Sequence, residues 1–171
     1  MPETTLQLLK SLTVRPAHVV SPMRDILAWN DAETWLLFDF SDLPAEHRNF
    51  AWFVFCDPRA PLLLTDWEKV ARSNVHRLRH AVAADPLNAR GRRLVAELTA
   101  QSSRFATIWE EHDVRGPAAG SHGFLHPQAG RIDLDYTAHV IPGVHMLELV
   151  VLTADEGALT HTALKQAASE R

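Results

Sequence analysis

The sequence has one cysteine, Cys56, one tyrosine, Tyr136, and only seven glycines in 171 residues. A single thiol has no intramolecular partner, which excludes a disulfide scaffold and points to a reducing compartment. The glycines are scattered at turns, and no phosphate-cradling glycine loop or Gly-x-Ser-x-Gly elbow occurs. Long apolar runs are missing as well. The cleanest one, Phe50 to Cys56, is far too short to span a membrane. Met1 to Thr5 lack the basic flank and apolar stretch of a secretory signal. Net charge is only −4 with histidines neutral, so the chain as a whole does not attract nucleic acid or anionic lipid. These absences leave the expectation of a soluble cytoplasmic domain.

What is present suits one globular domain. Hydrophobic residues make up 46% of the chain, and five Trp with seven Phe need an interior, which excludes disorder. The length is enough to bury a core. The aromatic content is lopsided, with five tryptophans to one tyrosine.

The chain changes character near Gly116-Pro117, from helical spacing to alternation. Thr4 to Leu12 is an amphipathic helix candidate with Thr4 or Thr5 as N-cap. Ala17–Val20 and Asp25–Trp29 read as strands around the Ser21–Arg24 turn. Asn30 or Asp31 is expected to cap a helix carrying Trp35, Leu36 and Phe38, and Ala45 to Phe55 to continue as helix after Pro44. Asp66 to Ala84 repeats apolar residues at three- and four-residue steps, with Asp66 as cap, and Asp85-Pro86 ends it. Helices follow from about Asn88 to Ala100 and from Ser102 or Ser103 through Trp109. Beyond Ser121 the pattern is β: Gly123–Pro127, a turn at Gln128–Gly130, alternation over Arg131–Tyr136, and a near-continuous apolar strand over Met146–Thr153. A final helix is expected over Ala158–Ala168. The fold class expected is α+β, one antiparallel sheet of about five strands covered by a helical block.

Ten histidines invite a metal hypothesis. His76 and His80 stand four apart on one helix face, but arginines flank them; His112, His122 and His126 surround a glycine-containing loop without cysteine ligands. Surface or capping roles fit these histidines better, and neither metal nor cofactor is expected. Cys56 lies in an apolar run, where an inert buried thiol is the default. His112-Asp113 has no nucleophile tied to it by sequence, so an enzyme ranks lowest. Arginines at 72, 77, 79, 90, 92 and 93 lack interleaved aromatics and read as a solvated helix face rather than a nucleic-acid patch.

The aromatic cluster is the informative feature. Trp52, Phe53, Phe55, Phe105 and Trp109 fall on helices that pack over a small sheet, as ordinary core or as the wall of an apolar pocket. Arg48, Asn49, Arg59, Arg115 and His126 punctuate the same segments with polar groups.

The run Arg48-Asn49-Phe50 through Cys56-Asp57-Pro58-Arg59-Ala60 resembles a signature of the MmyB-like transcription regulators. Trp67–Ala71, Phe105 with Trp109, His112–Arg115, His126-Pro127, Gly130 and Leu134-Asp135-Tyr136 follow in that family's order. Upstream, Pro16–Val20 and Ile26–Asn30 match its opening strands, so the likeness runs from about Thr5 to Leu164. The resemblance implies a PAS-like ligand-binding domain over 14–168, preceded by a helix over 1–13 that links to a helix-turn-helix domain. No such domain fits before Thr5, so the chain corresponds to the sensory half or to a stand-alone relative. DNA contact is then expected only through that other domain. The resemblance further implies a fatty-acid-like effector; a homodimer and no membrane partner are also expected. Where the family has a basic residue ahead of the Phe before His-Pro, this chain offers only His122. The expected ligand-binding set is Arg48, Asn49, Trp52, Phe53, Phe55, Arg59, Phe105, Trp109, Arg115, His126, Leu134 and Tyr136, with Arg48, Arg59 or Arg115 orienting an acidic head. A binding or dimerisation module without a small ligand is the alternative.

Overall fold

The computed structural model of the protein describes residues 1–111, 119–141, 143, 146–154, 162, 164 and 165. Among them, five strands and seven α-helices form the expected α+β arrangement. Helix α1 (Glu3–Ser11) starts from Pro2 at the N-cap position, with no side-chain cap from Thr4 or Thr5. Strands β1 (Ala17–Val20) and β2 (Ile26–Trp29) follow as read from sequence. Asn30 caps α2 (Asp31–Leu36) by accepting from the Glu33 N–H at 3.0 Å, and the helix ends at Leu36 because Leu37 leaves the helical conformation, so Phe38 lies beyond it.

The expected helix over Ala45–Phe55 is broken in two. A 3-10 turn over Ala45–His47 stops at Arg48, and α3 (Phe50–Cys56) begins afresh. Asn49 is the reason. Its extended backbone bridges to Asp25, and its side-chain oxygen accepts from the Ala51 and Trp52 N–H groups. The short α4 (Ala60–Leu63) carries Pro61 in its first turn. Helix α5 (Trp67–Ala84) buries the predicted face, Val70, Ala71, Asn74, Val75, Leu78 and Ala81, although Asp66 makes no side-chain cap bond. Asn88 and Ser102 cap α6 (Ala89–Gln101) and α7 (Ser103–Glu110).

Strands β3 (Ala119–His126), β4 (Gly130–Val140) and β5 (Glu148–Thr153) complete an antiparallel sheet of order β2-β1-β5-β4-β3. Both β3 and β4 are longer than the alternation alone indicated, because each pairs with the other along its length. Pro142-Gly143, a turn signal in the sequence, and the expected final helix lie mostly outside the described residues; Gly143 has φ +79°, and Leu164 is buried.

Alternation divides the sheet into two faces. Ala17 and Val19 pair with Val151 and Leu149, and this face packs against Leu9 of α1. The opposite face carries His18 and Val20, Val150 and Leu152, Leu134 and Tyr136, with His122 and Phe124 on β3. It is covered by α2, α3 and α5, and the main core lies between. The functional geometry is built on this second face.

Candidate functional site

A cavity of about 50 Å³ lies between the helix-facing side of the sheet and helices α2, α3 and α5. Leu37, Phe50, Phe124, Val150 and Leu152 supply its apolar wall, and His18, Arg24, Glu33, Asn74, Arg77 and His122 its polar one. Four of these polar residues are more than nine-tenths buried: His18 at 3% exposure, Arg24 at 7%, Glu33 at 1% and Asn74 at 5%.

Each reaches the cavity for a local reason. His18 is an inward position of β1; its ring stacks on Phe50 at 5.2 Å, and its Nδ1 lies 2.9 Å from Glu33 Oε1. Glu33 stands three residues after its helix cap, where a capping box would turn the side chain back to the cap. Here the Asn30 N–H donates to Ala17 instead, which frees Glu33 for His18. Asn74 sits on the buried face of α5 and donates Nδ2–H to the Val70 carbonyl at 2.9 Å.

Arg24 is the unusual residue of the set. Its backbone is left-handed, φ +68°, a conformation that costs a side-chain-bearing residue about 1–2 kcal/mol. That turn aims the guanidinium inward, over the Phe50 ring and 3.5 Å from Glu148 Oε2. Burial, helped by the neighbouring Arg77, pulls the Arg24 pKa down to about 10, so the group stays cationic at neutral pH. Arg77 donates to the same Glu148 oxygen at 3.1 Å. Arg24 and Arg77 also line an adjoining groove of about 830 Å³, with Met23, His76, Arg90 and Glu148 among its other walls. The groove is of ligand-pocket size, whereas the cavity has room for a few waters or one small polar group.

His122 lies flat on Tyr136, ring centroids 4.4 Å apart. Burial, with Lys69 adding to it, pushes its pKa down to about 4 and keeps the ring neutral. Five cavity side chains have a buried polar atom with no partner: His18 Nε2, Arg24 Nε, Glu33 Oε2, Asn74 Oδ1 and His122 Nδ1.

Of the twelve residues expected from sequence, Tyr136 lines this cavity. The others have different places. Arg48 donates Nε–H to the Phe40 and Leu43 carbonyls and Nη2–H to that of Ser41, closing the loop before α3. Asn49 is fully buried; besides capping α3 it donates to the Met23 carbonyl and to Asp25. Arg59 is held by Asp57 through two side-chain hydrogen bonds and lies 3.6 Å over the Phe38 ring. Burial raises the Asp57 carboxyl, but the Arg59 hydrogen bonds outweigh it and hold the group below the usual range.

The aromatic cluster does assemble, as packed interior. Phe53 and Phe105 are fully buried; Phe55 meets Phe105 at 5.1 Å, and Trp109 stacks on Phe105 at 5.5 Å. Trp52 stacks on His47 and donates to Glu97. Leu134 is core. His126 closes the β3–β4 turn: Nδ1 accepts from the Gln128 and Ala129 N–H groups, and Nε2–H donates to Trp35 at 2.8 Å. That fixes its neutral tautomer, in keeping with a pKa lowered by burial. Arg115 lies outside the described residues, as do His112 and Asp113.

Among the described residues no three His, Cys, Asp or Glu converge. Burial, aided by Glu97, pushes the Cys56 thiol up to about 11, which suits an inert group. No helix among them is long and apolar enough to cross a membrane.

Residues 1–167 match the family described as the MmyB-like transcription regulator ligand binding domain. The chain belongs to that family. No curated protein matches it. As a regulator's ligand-binding domain, it is a ligand-sensing regulatory module, with a small-molecule effector and a DNA-binding partner domain as its counterparts. The polar side chains at its cavity were missed in sequence because each looked like something else. Glu33 mimics half of a capping box, Asn74 interrupts an apolar helix face, and Arg24 sits in a turn. A buried polar residue at an inward position, as at His18 and Asn74, was the available signal.

Proposed function

We propose that this domain senses a fatty acid or similar hydrophobic acid, with no catalytic role. The acid end enters the cavity at Arg24, and the apolar body lies in the groove that shares Arg24 and Arg77, along Pro22, Met23, Ala81, Ala84 and Met146. The observation that carries this is Arg24 itself: a buried guanidinium on a left-handed backbone, with Nε unpartnered beside an apolar wall. A guanidinium orients a carboxylate and supplies modest energy. The tail supplies most of it: about a dozen buried methylenes contribute roughly 10 kcal/mol gross, which association costs reduce toward micromolar affinity.

The proposal includes a PAS-like arrangement of the sheet and helices, a cytoplasmic setting and a homodimer. Residues 14–168 form the sensory unit in this scheme, and the segment 1–13 leads to the DNA-binding domain. Occupancy shifts the dimer only if the effector binds its two states unequally.

Mass spectrometry of protein purified natively and then denatured is expected to release a bound acid. Added dodecanoate at about a hundred times its Kd is expected to stabilise the fold by about 2.7 kcal/mol. Arg24→Met is expected to lose most of that effect. Absence of any released lipid, together with an unchanged melt across fatty acids, would sink the proposal. A second reading, an interaction module without a small ligand, is favoured by the full burial of Phe53 and Phe105 in the core. The same two measurements separate the readings.

A further inference from the structure

The unpartnered atoms around the cavity have a definite hydrogen-bonding sense. Arg24 Nε–H can only donate, so it asks the ligand for an acceptor. Glu33 Oε2 and Asn74 Oδ1 are acceptors: the other Glu33 oxygen is engaged by His18, and the Asn74 amide already donates to Val70. Each asks the ligand for a donor. His18 Nδ1–H donates to Glu33, which in that tautomer leaves Nε2 as an acceptor toward the cavity, and His122 Nδ1 accepts or donates according to its tautomer.

A bare carboxylate answers only the first demand. Its oxygens meet Arg24 but bring no hydrogen for Glu33 or Asn74, and two buried oxygens would stay unpaired. At about 50 Å³ the cavity holds a head group or a few waters, not both in comfort. A head group that takes the place of water at these atoms must supply equivalent hydrogen bonds or lose affinity.

We infer that the effector is an acid whose polar end carries a hydroxyl or N–H donor beside the carboxylate, set by Arg24 on one side and by Glu33 and Asn74 on the other. In its choice of an acyl tail this rests on the function proposed above; the head-group requirement comes from the cavity alone. The site discriminates by chemistry at the head, where a donor lets every buried group pair, and leaves the tail to apolar contact.

Isothermal titration calorimetry on the full chain at pH 7.5 tests it with two series: dodecanoate against 2- and 3-hydroxydodecanoate, and butanoate against 2- and 3-hydroxybutanoate. The better hydroxy isomer is expected to bind at least about tenfold more tightly than its parent acid, or 1.4 kcal/mol. Asn74→Leu removes one acceptor at similar volume and is expected to shrink that preference at least about threefold, converted from the loss of one hydrogen bond. Glu33→Gln offers the cavity a donor instead and shrinks it likewise, should Asn74→Leu not fold. Dodecanoate binding as tightly as both hydroxy isomers overturns the head-group inference and leaves the acyl proposal standing. A hydroxyl preference confined to the short acids, with no long-chain binding, supports the head group and overturns the acyl tail. Binding by no member of either series overturns both.

Discussion

His122 shows at the scale of one residue how burial sets behaviour. Stacked on Tyr136 and desolvated, its ring has a pKa of about 4, against 6.5 when free in water. The unfolded chain therefore takes up a proton between those values and the folded chain does not, so stability is full above about pH 6.5 and falls as pH drops toward 4. Between pH 7 and pH 5 the wild type is expected to lose about 2 kcal/mol more than His122→Phe, which keeps the stack and removes the titration. Urea denaturation of both proteins at the two pH values measures it; equal losses would show that His122 is free to protonate in the fold. Arg24 obeys the same physics with the opposite emphasis, since even a pKa of about 10 leaves it charged where water is scarce.

At the scale of elements, capping decides where helices begin. Asn30 and Ser102 were legible as caps because their side chains precede periodic apolar segments, and Asn88 stands at the expected start of its helix; each of the three accepts a hydrogen bond from its helix. Asn49 was not, because Pro44 and the residues after it satisfy helical spacing, and its competing partners, Met23 and Asp25, are distant in sequence. Asn49→Ala removes two cap bonds and unpairs the Met23 carbonyl, and is expected to cost about 2–3 kcal/mol. Asn88→Ala, which loses a single bond to the Gly91 N–H, is expected to cost about 1 kcal/mol. Denaturant midpoints for the pair report the difference, and equal costs would reduce Asn49 to an ordinary cap. The Trp excess also acts between elements: the Trp67 indole donates to the Val54 carbonyl at 2.8 Å and Trp52 to Glu97, polar ties that Phe could not make.

Across the whole molecule, the sheet separates two apolar clusters of unequal size. The larger holds Phe40, Phe53 and Phe105 beneath the helices; the smaller holds Leu9, Ala17, Val19, Leu147 and Leu149 under α1. Phe105→Ala is expected to destabilise the whole domain by about 3–5 kcal/mol, the usual cost of an emptied aromatic site. Leu9→Ala is expected to act locally, raising amide exchange in α1 while the helices over the other face keep their protection. Hydrogen exchange of the two variants checks this, and global loss of protection in Leu9→Ala would show that the two faces unfold as one unit.

The sequence by itself determined the α+β class, the order of most elements and the buried face of α5, because periodicity and turn residues act within a few residues of one another. It also determined the family, through motifs spread along the chain. Only the tertiary structure decided which side chains meet. It set the aromatic cluster as core and gave Arg48 and Arg59 to local partners. It also drew His18, Arg24, Glu33, Asn74 and His122, from two strands, two helices and a turn, around one small cavity. Such a convergence leaves no local pattern, since it depends on strand pairing and helix packing between residues as far apart as Arg24 and Glu148.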